Sequence, residues 1–340
     1  MIWHDMKRRE DIINLRAAAI LLVMLGHSII IYSHAWPLQG YYLNGAAESH
    51  FFDQIKSVIN LLQMPLFFSL SGFCLLFSLK SSNAFGKFMA SKTRRILVPF
   101  FAVGLLYLLP LRLALGYPGW RGESLIRIVV FDIVLGVDNG HLWFLPTLFI
   151  IFLITEILYC ILRHFGVSSG YFVLVLVAIS LVLKAISGFV VVPYITDVMT
   201  YDIWFVLGAA IHYVQQIRED VLARFTNRIS LYLICIASGA LALALLFIAT
   251  RDFKALTSMI LVTLCYALVP RRTTKAINAI SRNSMGMYLF HSPLCYISFT
   301  FFPSVSPYIM LLVNFVGFGM VSFALTEVVR RLHLGVLIGE

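Results

Sequence analysis

The chain has 340 residues, of which 60% are hydrophobic and only 12% are charged. A soluble domain carries about twice that share of charged residues, so the composition excludes a water-soluble globule and indicates a protein of the lipid bilayer. The net charge of +10 does not indicate nucleic-acid binding, because the basic residues are dispersed along the chain rather than gathered in one patch.

Ten segments are predicted to cross the membrane as helices, since a crossing helix needs roughly 20 mainly apolar residues. In chain order they are residues 12–33, 55–79, 96–115, 142–163, 168–187, 200–214, 229–250, 253–270, 284–302 and 308–328. A shorter apolar stretch, 124–137, holds Arg127 and Asp132 and is predicted to be interfacial or re-entrant. The predicted fold is a single all-α transmembrane bundle that occupies residues 1–340.

The distribution of Lys and Arg predicts the orientation of this bundle. Basic residues concentrate on alternate turns, as expected for the cytoplasmic side, at positions 7–9, 80–95, 163, 218–228, 271–282 and 330–331. Lys56 and Arg112 belong to the smaller set assigned to the outer turns. Both termini are therefore predicted to be cytoplasmic. The five cysteines lie in predicted spans without paired spacing, so neither a disulfide nor a metal site is predicted.

The first predicted helix carries two ionisable residues, Arg16 and His27. Eleven steps of 100° make three turns plus about 20°, so the two side chains share one face about 16 Å apart along the axis. Ionisable groups inside a membrane are costly and often functional. Alternatively, Arg16 reaches lipid phosphates and His27 bonds a neighbouring carbonyl.

Near the predicted cytoplasmic end of the second helix, Ser71 and Gly72 permit close approach of another backbone or of a ligand. Simple helix packing explains this pair equally well. Basic residues follow at the mouth of the third helix, Lys92, Arg94 and Arg95. They serve topology and could also bind a phosphorylated ligand, because guanidinium groups grip phosphate in a bidentate way.

Two later helices carry the remaining polar candidates. His141 and Trp143 open the fourth helix at its predicted outer end. Tyr288 and His291 are three residues apart in the ninth, and so share one face. A ninth helix that begins at Ser284 puts His291 about 10 Å from its start, a different height from that of His27.

These motifs, in this order, resemble the acyltransferase 3 family of membrane O-acyltransferases. The likeness rests on Arg16 and His27, Phe68-Ser69-Leu70-Ser71-Gly72-Phe73, Lys92 to Pro99, His141-Leu142-Trp143-Phe144-Leu145, and Tyr288-Leu289-Phe290-His291. It spans residues 11 to about 293. Ile13-Asn14-Leu15-Arg16 stands where the family often has Asp-Gly before the arginine, and the esterase-like domain of some members is not found.

The resemblance implies transfer of an acyl group, commonly acetyl, from cytoplasmic acyl-CoA to a hydroxyl of a cell-surface or lipid-linked carbohydrate. It implies a multi-pass protein of the bacterial inner membrane, with acyl-CoA as co-substrate and no bound cofactor. Arg16, Ser71, Gly72, Lys92, Arg94, Arg95 and Tyr288 would bind acyl-CoA. His141 and Trp143 would border the acceptor.

The chemistry needs a base for the hydroxyl proton, and histidine is suited to that role near neutral pH. His27 is the predicted base, with an acyl-histidine intermediate as the alternative. Because His291 is predicted to lie at a different height in the membrane from His27, it is expected to orient the thioester rather than act as the base. The competing class is a transporter of lipid-linked sugars. Against it, the sequence shows neither an inverted repeat nor a matched pair of broken helices.

Overall fold

A computed structural model describes residues 9–33, 50–81, 84–222 and 253–340. Within those ranges the chain is helical and contains no β-strand. Nine helices are labelled here in chain order. They are α1 Glu10–Ser28, α2 His50–Leu79, α3 Phe85–Ala114, α4 Gly140–His164, α5 Ser169–Phe189, α6 Ile195–Leu222, α7 Phe253–Leu268, α8 Lys275–Phe301 and α9 Pro307–Arg331.

Among the described residues, six helices are long and apolar enough to cross a membrane: α1, α2, α3, α4, α5 and α9. They coincide with six of the predicted spans and confirm that these segments form long apolar helices. Helices α6 and α8 are longer than predicted and more polar, and α7 has 16 residues. The span predicted at 229–250 lies outside the described residues, so ten crossings and cytoplasmic termini remain predictions. The stretch predicted as re-entrant is helical over Leu125–Arg127 and Ile128–Val134.

Helix α8 begins nine residues earlier than the apolar pattern predicts. Thr274 caps it, because its hydroxyl accepts a hydrogen bond of 3.2 Å from the Ile277 N–H. The added turns hold Arg282 and Asn283, which are polar because they meet Glu327 of α9. Glu327 accepts hydrogen bonds from Arg282 at 2.7 Å and from Asn283 at 2.9 Å. The sequence predicts a loop here because these residues are polar. In the structure their polar groups are paired with Glu327, so the segment can be helical.

The chain divides into two compact units. One comprises Pro65–Met89 and Ile150–Leu268, and the other His4–Met64, Ala90–Phe149 and Val269–Glu340. In the second unit, α1 and α8 start at the same level. The Thr273 N–H donates to the Glu10 carboxylate at 3.0 Å, and the Asn14 amide donates to the Pro270 carbonyl at 2.8 Å. These bonds fix the register of the two helices.

In the first unit, α2 and α6 approach backbone to backbone. A Cβ added at Gly72 would lie 1.8 Å from the Phe205 carbonyl oxygen, and one added at Gly208 would lie 1.8 Å from that of Ser69. The two glycines are therefore reciprocal, and each makes room for the other helix. The small pair noted in the sequence does admit another backbone, that of Phe205.

Replacing Gly208 with alanine should destabilise the protein, because the added methyl forces the two backbones apart. Overpacking of this kind costs about 1–3 kcal/mol. The measurement is the thermal unfolding midpoint of the detergent-purified protein. Gly86→Ala is the matched control, since a Cβ there meets nothing within 4 Å. Equal melting temperatures for the two variants would contradict the close contact between the helices.

Candidate functional site

Two histidines from α1 and α8 form a direct hydrogen bond. His27 Nδ1 and His291 Nε2 lie 2.7 Å apart, and the rings stack with centroids 5.0 Å apart. The prediction that His291 lies at a different height from His27 is wrong. His27 is 17 residues into α1 and His291 is 16 residues into α8, so each lies about 25 Å from its helix start. The error came from the missing first turns of α8.

The hydrogen-bond partners fix which nitrogens carry protons in the neutral pair. His291 Nδ1 lies 2.7 Å from the Met287 carbonyl oxygen, which can only accept, so Nδ1 carries the proton. His291 Nε2 is therefore an acceptor, and His27 Nδ1–H donates to it. This leaves His27 Nε2 as a bare lone pair, which has no hydrogen-bond partner among the described residues. The pair thus presents a free base whose orientation is set by a second imidazole.

His141 is the third histidine of the cluster, and a proline in α8 explains its position. Pro293 has no N–H, so the Leu289 carbonyl four residues earlier loses its helical donor. His141 Nε2–H donates to that carbonyl at 3.1 Å. The His141 ring centroid lies 6.3 Å from that of His27 and 5.9 Å from that of His291. The Tyr288 hydroxyl donates to the His141 backbone carbonyl, which fixes the turn.

Lys56 and Arg112, which the charge count assigns to the outer side, lie inside α2 and α3. Both are buried, with exposed fractions of 5% and 1%. The Lys56 ammonium donates to the Gly26 carbonyl at 3.0 Å, directly before His27. Counting charges assigns residues to sides of the membrane but does not detect that a charged side chain is buried. Their position inside predicted or extended helices was the available signal.

Arg112 holds the turn that carries His141. Its Nη1 donates to the Asp138 carbonyl at 2.9 Å and to the Asp138 carboxylate at 3.2 Å. Gly140 has φ +60°, and a Cβ there would lie 2.6 Å from Arg112 Nη2. A glycine is needed at this position for both reasons. The guanidinium therefore acts on His141 through the backbone of the turn.

The arginines predicted to bind phosphate lie on the exposed surface of the unit that contains the histidine cluster. Arg16, Arg94 and Arg95 are exposed, and within the described ranges none of the three has an ion-pair partner. Arg94 and Arg95 lie in a π-helical segment of α3, Thr93–Leu97, just before Pro99. Such segments are common at functional sites. Lys92 is half-buried.

The other predicted site residues have local partners. The Ser71 hydroxyl donates to the Phe67 carbonyl at 3.0 Å. Gly72 lies against the Phe205 backbone, and Tyr288 is buried beside His141. Trp143 is half-buried at the end of the 3-10 turn Gly140–Trp143. In the described part of the chain, no group of three His, Cys, Asp or Glu side chains is arranged to hold a metal ion.

Comparison with known proteins identifies the family. A family model described as an acyltransferase domain, that of acyltransferase 3, matches residues 9–330. No curated protein and no solved structure matches the chain. The matched region contains every histidine of the cluster and the helices that carry them. With nearly its whole length matched, the chain belongs to the acyltransferase 3 family.

Proposed function

We propose that the protein transfers an acyl group, acetyl in the simplest case, from acyl-CoA to a carbohydrate hydroxyl. The observation that carries this proposal is the His27–His291 hydrogen bond, which leaves His27 Nε2 unprotonated and oriented. Family membership supports acyl transfer, and a base near neutral pH is what that reaction needs.

In the proposed reaction, His27 Nε2 takes the proton of the acceptor hydroxyl as its oxygen attacks the thioester carbonyl carbon. The new C–O bond forms, the C–S bond breaks, and the coenzyme A thiolate leaves. The protonated His27 then returns its proton to the thiolate. During the step, the positive charge on His27 is stabilised through its Nδ1–H, which donates to His291 Nε2. His291 is a positioning residue, because it acts through His27.

The donor is proposed to bind at the end of the unit where the exposed arginines lie. Arg16 is eleven residues before His27, about 16 Å along α1. That span is comparable to an extended pantetheine arm, so the nucleotide phosphates could contact Arg16, Arg94 and Arg95 with the thioester at His27. Lys92 would add charge there. Ser71, Gly72 and Tyr288 remain sequence predictions for this site.

The acceptor is proposed to be a cell-surface or lipid-linked carbohydrate that approaches from the opposite side, bordered by His141 and Trp143. His141 Nδ1 is buried and has no hydrogen-bond partner in the described ranges. A bare imidazole nitrogen accepts a hydrogen bond, and a sugar hydroxyl can donate one. We place the protein in a plasma membrane, the bacterial inner membrane, with donor and acceptor on opposite sides.

His27→Ala should lower acyl transfer by about 10²–10⁴-fold, because it removes the general base. The assay adds labelled acetyl-CoA to membranes and follows the label into polysaccharide. His164→Ala is the control, since His164 is an exposed histidine at the end of α4. Normal label incorporation by correctly inserted His27→Ala protein would eliminate His27 as the base.

His291→Leu should lower kcat by about tenfold to a hundredfold, which corresponds to one lost hydrogen bond to a charged group. The KM for acyl-CoA should change little, because His291 acts on His27 and not on the donor. His291→Gln supplies a carbonyl acceptor for His27 Nδ1–H and should recover part of kcat. If the leucine and glutamine variants have the same kcat, the hydrogen bond does not position the base.

Replacing Arg94 and Arg95 together with glutamine should raise the KM for acyl-CoA about tenfold or more, since charged hydrogen bonds to phosphate are lost. Turnover at saturating acyl-CoA should fall less. Arg271→Gln with Arg272→Gln is the matched control, because it removes the same charge from another exposed pair on the predicted cytoplasmic side. The membrane insertion and orientation of both double variants are checked in parallel. An unchanged KM in the Arg94/Arg95 variant would exclude these residues from the donor site.

A further inference from the structure

Arg112 is the centre of a buried aromatic cluster that the proposed reaction does not use. The guanidinium carbon lies 4.0 Å from the ring centroid of Tyr117, 4.9 Å from that of Trp120 and 5.0 Å from that of Tyr296. Three aromatic faces around one cation are a stabilising arrangement, more so when it is desolvated. Arg112 is 18 residues beyond Arg94 in α3, about 27 Å along the helix. The cluster therefore lies at the opposite end of α3 from the proposed donor arginines.

The hydrogen-bond donors of the cluster outnumber its acceptors. Arg112 Nη1 donates to Asp138, and Nη2 donates to the Tyr296 hydroxyl at 2.7 Å. The Tyr117 hydroxyl donates to the other Asp138 carboxylate oxygen at 2.9 Å. Burial raises the pKa of Tyr117 above its ordinary value, so the phenol stays protonated and does not act as an anionic partner. The carboxylate of Asp138 is thus already engaged by two donors.

Two buried N–H groups remain unsatisfied. Arg112 Nε and Trp120 Nε1 have no hydrogen-bond partner among the described residues. Arg112 is 1% exposed and Trp120 is 4% exposed. A guanidinium and an indole nitrogen can only donate, and a buried donor without an acceptor is costly. Both groups therefore need acceptors that the described residues do not supply.

Both residues line one pocket of about 170 Å³, together with Leu113, Gly116, Tyr117 and Arg121. Water takes about 30 Å³ per molecule in the liquid, so the pocket has room for a phosphate or carboxylate group with part of its carrier. The exposed Arg121 adds a second positive charge, while Asp138 supplies one negative charge. Asp132 also lies near Arg112, but neither aspartate lines the pocket, whereas both arginines do. The charged groups that a ligand in the pocket would meet are therefore positive, which favours an anionic ligand over a neutral one.

We infer that the pocket formed by Arg112, Tyr117, Trp120 and Arg121 binds an anionic oxygen group, a phosphate or a carboxylate. Arg112 Nε and Trp120 Nε1 donate to its oxygens, and Arg121 supplies charge at the rim. The group can belong to a soluble ligand or to a membrane lipid, and the same donors recognise both. The inference does not depend on acyl transfer.

The test measures the thermal unfolding midpoint of the purified full-length protein in a neutral detergent. Inorganic phosphate and glucuronate are titrated separately at constant ionic strength, and stabilisation follows from binding to the folded state. In a second arm the protein is placed in nanodiscs of phosphatidylcholine with or without phosphatidylglycerol. The first arm reports a soluble anion, and the second reports a lipid headgroup.

Trp120→Phe removes one donor while it keeps an aromatic ring beside Arg112. It should raise the anion concentration for half-maximal stabilisation about tenfold, the effect of one hydrogen bond to a charged group. Arg121→Gln, at an exposed position, should weaken the response and its salt dependence without affecting folding. Arg127→Gln is the charge-matched control, because Arg127 pairs with Glu123 outside the pocket. It should respond like the wild type.

Each outcome decides the inference. Stabilisation by phosphate or glucuronate that Trp120→Phe and Arg121→Gln weaken supports a site for soluble anions. The same sensitivity seen only with phosphatidylglycerol supports a lipid headgroup. If no anion stabilises the protein in either arm, or if both pocket variants respond like Arg127→Gln, water satisfies the two donors and the inference is wrong.

Discussion

The register between α1 and α8 is the constraint on which the histidine cluster depends. It is set far from the histidines, where the Glu10 carboxylate accepts from the Thr273 N–H and the Asn14 amide caps the carbonyls of Pro270 and Arg272. A shift of one residue moves a side chain by 1.5 Å along the axis and by 100° around it. Either change would break a 2.7 Å bond between two rings. The polar contacts at the helix starts therefore determine the geometry of the base.

The second constraint on the histidine cluster is that two backbone carbonyls of α8 accept hydrogen bonds from its side chains. Met287 and Leu289 each offer an oxygen to a histidine, the first to His291 Nδ1 and the second to His141 Nε2. Pro293 frees the Leu289 oxygen, whereas the Met287 oxygen is shared within the helix. Because a carbonyl only accepts, each contact fixes a protonation pattern as well as a position. One helix thus sets the orientation of its own histidine and of a histidine from α4.

Much of the architecture follows from the sequence because apolar length is a strong signal: six predicted spans correspond to long apolar helices in the structure. His27, His141 and His291 were identified as candidates from the motifs, and family membership is confirmed. Their contact was not predictable, because Arg282 and Asn283 made the first turns of α8 resemble a loop. The burial of Lys56 and Arg112 was not predictable for a related reason. A charge in a sequence window is interpreted as exposed unless its partners are known, and those partners are Gly26, Asp138 and Tyr296.

Arg112 connects the cluster of histidines to the pocket proposed for an anion. Its Nη1 donates to the Asp138 carbonyl in the turn before His141, and the same side chain lines the pocket. A planar guanidinium cannot move one nitrogen without the others. An anion bound to Nε would therefore act on the same rigid group that holds the turn, and it would add negative charge beside the arginine that Asp138 pairs with. One planar guanidinium with several donors can contact the turn and the proposed anion at the same time, whereas the donors of a lysine ammonium all lie on one nitrogen.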